Sequence, residues 1–373
     1  MGKKKLCWVT PDWFVDVDMP IIPHLTDEYD ITWIIFFPWR HNRFKEDDFK
    51  QVKEEHPELD IHFIHCRYYG LDPRCMMVWN RIGRIIKDKN PDIIYYNNAP
   101  GLMSLPLYRS LPANKTIVTA HDGCVKPTMK FNRLTKYCWN KGYNTRKYVQ
   151  FFSVKQMEIF DAERPGKKLF CIPLALKDFG KPTKGLRTDY VTFVSFGAIN
   201  EDKNVKLLIK AAEKIYDEGY HQFRVVIKGR CFEWDKEYLP LIKHPELFEA
   251  DLRFIDNSEI ANIYAENTYA VFPYKQSGQS GAIKVALFYR KPCIVSNLPG
   301  FTDDIRDGYN GYVFNNGDVE DLARVLKHCI ISSKEEYEGM VKRVNEFVDA
   351  KYASGKLLAR YKEMFKTVTS ANA

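Results

Sequence analysis

Short apolar runs alternate with amphipathic segments of helical length along most of the chain. The runs Ile31–Phe37 and Val191–Phe196 are almost continuously apolar, as strands are when both faces of a parallel sheet are covered. Between such runs, apolar residues recur at helical spacing, for example in Cys75–Lys87 and Val205–Tyr216. This alternation predicts an α/β protein built on parallel sheets.

The same pattern predicts the individual elements. The predicted strands are Leu6–Thr10, Ile31–Phe37, Ile61–His65, Asp92–Tyr96, Thr116–Thr119, Leu169–Ile172, Val191–Phe196, Phe223–Ile227, Leu252–Ile255, Tyr269–Phe272 and Cys293–Val295. The predicted helices are Phe44–Glu54, Cys75–Lys87, Leu102–Leu111, Val205–Tyr216, Glu259–Ala265, Ala282–Phe288, Asp318–Ile330, Glu335–Val348 and Lys356–Phe365.

The strand–helix series is interrupted once and then restarts. The segment Lys177–Asp189 contains glycine, proline and charge without apolar periodicity, which is typical of a linker. A chain of 373 residues also exceeds what one core normally supports. We therefore predict two doubly wound, Rossmann-like domains facing each other across a cleft. Their expected bounds are residues 1–178 and 179–350, with a final helix in residues 351–373 crossing back to the first domain.

A loop of small polar residues, Gln276–Gly281, connects a strand to the helix Ala282–Phe288. This order points the free N–H groups and positive dipole end of the helix at an anion. Ser280 and Gly281 would let a phosphate approach the backbone. Such residues are also ordinary turn formers, so this loop alone does not decide between the two interpretations.

Two further loops favour an anion site at the same sheet edge. Gly197 ends a strand and Lys203 stands at the start of the next helix, where a positive charge is unfavourable unless an anion binds. Lys228 and Gly229 end the following strand. Three such loops could hold a nucleoside diphosphate. The predicted donor-binding residues are Gly197, Lys203, Lys228, Gly229, Ser280, Gly281 and Ala282.

The first half offers candidates where ligands bind in open α/β sheets, at the carboxyl ends of strands. Trp13 and Asp16 follow the first strand and are candidate acceptor contacts, although both residue types also serve as lids and caps. His121 follows the strand Thr116–Thr119 and is a candidate catalytic residue or a simple loop cap.

The stretch Lys126–Lys147 is basic and aromatic. Its members are Lys126, Lys130, Arg133, Lys136, Lys141, Arg146 and Lys147 with Phe131, Tyr137, Trp139 and Tyr143. Such a stretch can contact an anionic membrane or an acidic acceptor. A solvated helix face with core aromatics behind it is the alternative.

Composition adds few constraints. Apolar residues make up 45% and charged residues 28%, as in soluble globular proteins. No signal sequence or membrane-length apolar run is visible, and the nine scattered cysteines are typical of reduced thiols. We expect a cytoplasmic protein that can also bind peripherally to the inner face of the membrane. The net charge of +8 favours anionic partners.

The second half resembles the nucleotide-sugar domain of retaining glycosyltransferases of family 4, which have the GT-B fold. Four segments carry the resemblance: SFGAINEDKNVKLLIKAA, RVVIKG, YAVFPYKQSGQSGAIKVALFYRKPCIV and GYNGYVFNNGDVEDLARVL. It implies that Lys203 neutralises the donor diphosphate and that Ser280 and Gly281 cradle it. It also implies that His121 lies beside the transferred sugar.

The chain departs from this family at several positions. Ala198 stands where an arginine is usual, and Ser277 and Val285 stand where the family has the glutamates of an E-x7-E pair. The loop resembles a sub-type with PY…QSG in this region. Phe14–Asp18 replaces the usual glycine pair after the first strand.

The resemblance implies a retaining transfer of a hexosyl group from a nucleoside-diphosphate sugar to a glycan or lipid-linked acceptor. The expected setting is bacterial surface polysaccharide synthesis. We expect no metal or other cofactor, because no convincing DxD-type pair is present. The departing phosphate would take the acceptor proton in a front-face attack.

Two other classes remain open, a non-catalytic nucleotide-sugar-binding protein and another GT-B enzyme such as a nucleotide-sugar epimerase. Nucleic acid is not an expected partner, because the basic residues are dispersed and no recognition module is visible.

Overall fold

The structure is a computed structural model that describes residues 2–39, 44–125 and 131–371. The chain forms two compact units. The N-terminal unit comprises Met1–Ala175 with Ser354–Ala373, and the C-terminal unit comprises Leu176–Ala353.

Each unit is built on one parallel sheet. Among the described residues, the strands of the N-terminal unit are β1 (Lys4–Pro11), β2 (Tyr29–Phe37), β3 (Asp60–His65), β4 (Ile93–Tyr96), β5 (Thr116–Ala120), β6 (Tyr148–Phe151) and β7 (Lys168–Cys171). Those of the C-terminal unit are β8 (Val191–Phe196), β9 (Phe223–Lys228), β10 (Phe248–Asp251), β11 (Tyr269–Phe272), β12 (Cys293–Ser296) and β13 (Gly311–Phe314).

The helices cover both faces of these sheets. In chain order they are α1 (Val15–Asp18), α2 (Lys50–Glu55), α3 (Cys75–Lys89), α4 (Leu105–Ser110), α5 (Asn132–Tyr143), α6 (Val154–Glu163), α7 (Val205–Asp217), α8 (Asn257–Glu266), α9 (Gly281–Phe288), α10 (Pro299–Thr302), α11 (Val319–Ile331), α12 (Lys334–Tyr352) and α13 (Ser354–Ser370).

The strand orders confirm the predicted fold class of two Rossmann-like α/β domains. They are β3-β2-β1-β4-β5-β6-β7 in the N-terminal unit and β10-β9-β8-β11-β12-β13 in the C-terminal unit. In each sheet the order reverses between the first and fourth strands of the unit. Ligands of doubly wound sheets bind outside the carboxyl ends of the strands at this reversal, which directs attention to the β1/β4 and β8/β11 positions.

The apolar pattern located most strands because most of their residues are buried, although those of β3 and β7 are mainly half-buried. The predicted strand Leu252–Ile255 is wrong: the strand is β10, which ends at Asp251, and Phe254 is 71% exposed. β10 lies at the edge of the sheet and pairs with β9 on one side, so Glu249 and Ala250 are exposed and no apolar run marks it.

A buried charge cluster joins α9 to the end of α12. Lys284 of α9 forms an ion pair with Asp304, whose carboxylate also accepts hydrogen bonds from Lys351 Nζ at 2.8 Å and from the Tyr352 hydroxyl. Lys284 Nζ also donates to the Tyr352 hydroxyl at 2.5 Å. Burial alone would raise the pKa of Asp304, but the two ammonium groups outweigh burial and lower that pKa to about 2. Burial lowers the pKa of Lys284, and the pairing with Asp304 opposes that shift. These contacts tie α9 to Asp304 and to the end of α12.

We expect Lys284→Met to lower the free energy of unfolding by about 3 kcal/mol, because it leaves a buried carboxylate with one ammonium partner fewer. Urea unfolding followed by far-UV circular dichroism measures this. The control is Lys50→Met, which breaks an exposed pair with Asp47 and should cost less than about 1 kcal/mol. Equal losses in the two variants would contradict a structural role for the buried pair.

Candidate functional site

Two glycines bring the loops after β8 and β9 into contact. Gly197 donates its N–H to the Lys228 carbonyl at 3.0 Å, and Gly229 donates to the Asp251 carbonyl at 2.8 Å. Gly229 has φ 138°, and a Cβ there would lie 2.0 Å from the Gly197 carbonyl oxygen. Only glycine fits this position. The two loops therefore form one continuous backbone surface at the carboxyl edge of the sheet.

The loop after β8 places Lys203 beside the loop after β11. The Asn200 side chain accepts the Lys203 N–H at 3.1 Å and caps a 3-10 turn over Glu201–Lys203. Lys203 Nζ lies 3.7 Å from the centroid of the Tyr274 ring, a cation–π distance. Lys203 thus lies where the strand order reverses, between β8 and β11.

Hydrogen bonds hold these two loops together. Lys275 donates its N–H to the Asp202 carbonyl at 2.8 Å, and Gln276 Nε2 donates to Asp202 Oδ1 at 2.8 Å. Lys275 Nζ also pairs with Glu201 at 2.9 Å. The start of the small polar loop is therefore fixed relative to Lys203.

The N-terminus of α9 lies at the end of this loop. Ser280 is the N-cap residue, is 5% exposed and forms a hydrogen bond with the Tyr274 hydroxyl. Burial raises the pKa of Tyr274, and the bond to Ser280 lowers it in part. Gly281 and Ala282 form the first turn of α9 and are half-buried.

A second lysine, Lys177, lies against this helix start. It is 8% exposed, and its Nζ lies 2.9 Å from the position that a Cβ on Gly281 would occupy. Its ammonium group therefore lies beside the positive end of α9, where a bound anion would interact favourably with both. Sequence reasoning placed Lys177 in a linker, and no local pattern indicates its contact with Gly281.

Three other positions in this unit were singled out in the sequence: Lys228, Val285 and Ser277. Lys228 Nζ lies 3.7 Å from Asp251 Oδ2, toward the edge strand β10. Val285 is 4% exposed and belongs to the core, and Ser277 Oγ donates to the Gln279 carbonyl at 3.0 Å. The two positions compared with the E-x7-E glutamates in the sequence analysis therefore hold an apolar core residue and a loop hydroxyl.

In the N-terminal unit the predicted residues follow β1 and β5. Trp13 is on a 3-10 turn after β1 and is 47% exposed, and Asp16 is on α1. The His121 ring lies between Phe14 and Phe152, at centroid distances of 4.3 and 5.0 Å. Burial lowers the pKa of His121 to about 4, so its imidazole is neutral at physiological pH.

The buried carboxyl group of Asp18, which the sequence analysis did not identify, connects this region to the sheet. Asp18 Oδ2 accepts hydrogen bonds from Thr10 Oγ1 at 2.7 Å, Trp8 Nε1 at 3.0 Å and Asn97 Nδ2 at 3.0 Å. Asp18 thereby joins α1 to β1 and to the segment after β4. Burial raises the pKa of Asp18 to about 7 despite these hydrogen bonds.

Only part of the basic and aromatic stretch Lys126–Lys147 is exposed to solvent. Lys126 and Lys130 lie outside the described residues. On and around α5 the exposed members are Phe131, Arg133, Lys136, Tyr137, Lys141 and Lys147. Trp139 and Tyr143 are core residues, and Arg146 is buried with Nη1 donating to the Leu111 carbonyl at 2.9 Å. The expectation that these three belong to an outward face is therefore wrong.

Within residues 2–39, 44–125 and 131–371, no helix has the length and apolar character needed to span a membrane. Within the same ranges, no three His, Cys, Asp or Glu side chains are grouped as metal ligands.

Comparison with known proteins gives one match to residues 190–331 and several matches to the whole fold. Residues 190–331 match a family model described as Glycosyl transferases group 1. No curated protein matches the chain. Many solved structures do, and three that cover nearly all of both chains serve as examples.

The first of these is HepE (Alr3699) from Anabaena in complex with UDP and glucose, which is 14% identical with a TM-score of 0.72 and covers 98% of this chain and 100% of its own. The second is a glycosyltransferase from Rickettsia africae ESF-5, 18% identical with a TM-score of 0.74 and 99% coverage of each chain. The third is sucrose-phosphate synthase from Thermosynechococcus elongatus, 12% identical with a TM-score of 0.76 and coverage of 99% and 100%. These similarities show that the chain has the GT-B fold.

We expect the raised pKa of Asp18 to make stability depend on pH. The folded chain holds this proton more tightly than the unfolded chain, so stability falls as pH rises from about 4 toward 7. Asp18→Asn keeps the accepting oxygen and removes the charge. It should remove this slope and raise the free energy of unfolding at pH 8 by about 1–4 kcal/mol. Urea titrations at pH 4, 6 and 8 measure it, and an unchanged slope in the variant would contradict the assignment.

Proposed function

We propose that this chain is a glycosyltransferase that binds a nucleoside-diphosphate sugar at the carboxyl edge of the β8–β13 sheet. One observation carries the proposal. Lys203 lies over the Tyr274 ring at the start of the Tyr274–Gly281 loop, and Lys177 lies at the end of that loop beside Gly281, within a unit whose residues 190–331 match group 1 glycosyl transferases. Two ammonium groups and a helix N-terminus form a suitable environment for a diphosphate.

In this proposal the enzyme lowers the barrier mainly by stabilising the leaving diphosphate. Negative charge develops on the phosphate oxygen as the bond to the sugar breaks. Lys203, Lys177 and the first N–H groups of α9 offset that charge. Lys177 would supply the positive charge that the related family places at the position of Ala198. The reaction then needs no metal ion, and activity should persist in EDTA.

We propose that the transfer retains the anomeric configuration of the donor sugar. The acceptor hydroxyl attacks the sugar from the face that the diphosphate leaves, and the departing phosphate takes the proton of that hydroxyl. His121 stays neutral because burial lowers its pKa to about 4. A neutral imidazole can form a hydrogen bond with a sugar hydroxyl without attracting the diphosphate. The candidate acceptor residues Trp13 and Asp16 lie in the same unit as His121.

A UDP-hexose is the donor that we propose first. HepE binds UDP and glucose, and a further structural neighbour, trehalose-6-phosphate from E. coli, is bound with UDP-2-fluoro glucose. The acceptor is proposed to be a glycan or a lipid-linked glycan of bacterial surface polysaccharide. Incubating the protein with a panel of nucleotide sugars and following thermal stabilisation tests donor choice.

We expect Lys203→Ala to weaken binding of UDP by about 1.5–3 kcal/mol, the value of a charge-assisted hydrogen bond. Lys177→Met should weaken it similarly. The control is Lys206→Ala, one turn along α7, because Lys206 Nζ is paired with Glu237. Isothermal titration calorimetry with UDP measures all three variants.

Gly281→Ala provides an independent check of the same site. The added Cβ would displace the Lys177 ammonium group, which is the far end of a flexible side chain, so the fold should survive. The effects of Gly281→Ala and Lys177→Met should then be less than additive. UDP binding that is unchanged in Lys203→Ala and Lys177→Met would rule out this donor site.

We also propose that the exposed face of α5 contacts anionic lipid that carries the acceptor. Each basic residue near such a surface contributes about 1 kcal/mol. Reversing Arg133, Lys136 and Lys141 to glutamate should therefore abolish co-sedimentation with phosphatidylglycerol vesicles at low salt. The control reverses Lys334, Lys342 and Lys356, which lie on α12 and α13. Equal recovery of the wild type with neutral and anionic vesicles would contradict the contact.

A further inference from the structure

A cavity lies at the amino edge of the β8–β13 sheet, opposite the carboxyl edge that carries the proposed donor loops. Its volume is about 690 Å³, within the range of about 300–1,000 Å³ that is usual for small-molecule sites. The wall is formed by residues that precede β8, β9, β11 and β12, by the end of α11 and by the first two turns of α12. Every wall residue belongs to the C-terminal unit, so the cavity is a feature of that unit alone.

Arg290 of this wall occupies a backbone position that favours glycine. Its φ is 57°, in the left-handed region. The Arg290 N–H donates to the Leu287 carbonyl at 3.1 Å and the Lys291 N–H donates to the Ala286 carbonyl at 2.9 Å, which is the hydrogen-bond pattern of a Schellman motif at the end of α9. A residue with a Cβ is strained there, whereas glycine is not. The strain directs attention to what the arginine side chain does.

The guanidinium group of Arg290 has one donor nitrogen paired and one unpaired. Nη2 donates to Asp349 Oδ1 at 2.8 Å. Nη1 is buried and has no hydrogen-bond acceptor among the described residues. A buried donor without an acceptor is costly, and more so when the group is charged. Nη1 is therefore placed to donate to a bound ligand.

Lys291, the next residue of the wall, supplies a second buried cation. It is 8% exposed, and its Nζ donates to the Ala265 carbonyl at 3.3 Å, near the end of α8. That bond uses one of the three donors of the ammonium group. Burial lowers the pKa of Lys291 to about 8. Within the described parts of the chain no carboxylate forms an ion pair with it, although buried lysines are usually paired.

The other charged groups of the wall are paired or exposed. Arg187 pairs with Glu249 at 2.7 Å, and Lys334 pairs with Glu338 at 3.7 Å. Asp189 is exposed to solvent. The described wall therefore has four cationic side chains and two carboxylates, and its buried charges are both positive. This balance favours an anionic ligand over a cationic one.

Tyrosine rings provide the uncharged part of the wall. Tyr190, Tyr289 and Tyr337 are half-buried. Tyr337 packs edge to face on the core residue Tyr269 at a centroid distance of 5.4 Å. Aromatic rings provide large apolar surface on which a ligand ring can stack. The cavity thus combines buried cationic donors with aromatic surface.

We propose that this cavity binds a small organic anion, whose phosphate or carboxylate group accepts hydrogen bonds from Arg290 and Lys291 and whose aromatic or apolar body packs on the tyrosines. Arginine and lysine form charge-assisted hydrogen bonds with such groups. The site is separate from the donor site, because the eight residues of α9 span about 12 Å between Gly281 and Arg290. It goes beyond the proposed glycosyltransferase function and does not depend on it.

Phenyl phosphate binding to the full chain tests the proposal, with benzoate and benzyl alcohol as companion probes, each titrated by saturation-transfer-difference NMR. Phenyl phosphate or benzoate should bind at least about tenfold more tightly than benzyl alcohol, which has the ring without the charge. Inorganic phosphate at an equal concentration should not displace the aromatic anion, because it lacks the ring.

Arg290→Gly separates binding from stability. It should weaken binding of the aromatic anion at least about tenfold, while the urea midpoint of unfolding does not fall, because glycine adopts φ 57° without strain. Lys291→Met should weaken binding similarly. The control Lys334→Met changes a lysine of the same wall whose side chain is 81% exposed and should leave binding unchanged. Lys203→Ala, at the donor loops, should also leave it unchanged.

Four results would overturn the proposal: no binding of either aromatic anion, equal binding of benzyl alcohol, unchanged affinity in both Arg290→Gly and Lys291→Met, or loss of binding in Lys203→Ala, which would place the anion at the donor loops. UDP is titrated into the same samples. If the aromatic anion binds as expected while UDP does not bind, the donor site fails and this site stands. If UDP binds and neither aromatic anion does, this site fails and the donor site stands.

Discussion

The proposed chemistry of the C-terminal unit depends on where helix α9 points. A helix offers its free N–H groups only along its axis, at its first turn. The buried cluster of Lys284, Asp304, Lys351 and Tyr352 fixes that axis by tying α9 to the end of α12. Burying these charges is costly unless they are paired with good geometry. Once paired, they hold the start of α9 beside Lys177 and beside the loop that contacts Lys203.

The two units share one topology but differ in the chemistry of their carboxyl edges. The edge of the C-terminal unit combines two lysines, close backbone contact at Gly229 and a helix N-terminus. The edge of the N-terminal unit combines exposed aromatic rings with His121, whose pKa burial lowers to about 4. The first set suits an anionic diphosphate. The second offers aromatic surface, against which the ring of a sugar can pack.

The sequence predicts those features that rest on local patterns. Buried parallel strands are continuous apolar runs, and Gly197, Lys203 and Gly281 stand at predictable strand and helix ends. Long-range contacts leave no such signal. Lys177 comes from a segment without apolar periodicity and meets Gly281 only in the fold. Asp18 lies near Asn97 although 79 positions separate them. Composition alone also does not separate exposed from buried residues in the basic stretch: Trp139 and Tyr143 are on the inner side of α5, and Arg146 is buried just beyond the end of that helix.

Hydrogen–deuterium exchange with and without UDP tests the central claim most directly, because it locates binding on the backbone. We expect slower exchange on UDP addition in two segments, residues 197–204 and 277–284, which contain Lys203 and the first turn of α9. Uridine, which lacks the diphosphate, should give little protection in residues 277–284. Equal protection by uridine and UDP there, or protection confined to other segments, would contradict the assignment of α9 as the diphosphate-binding helix.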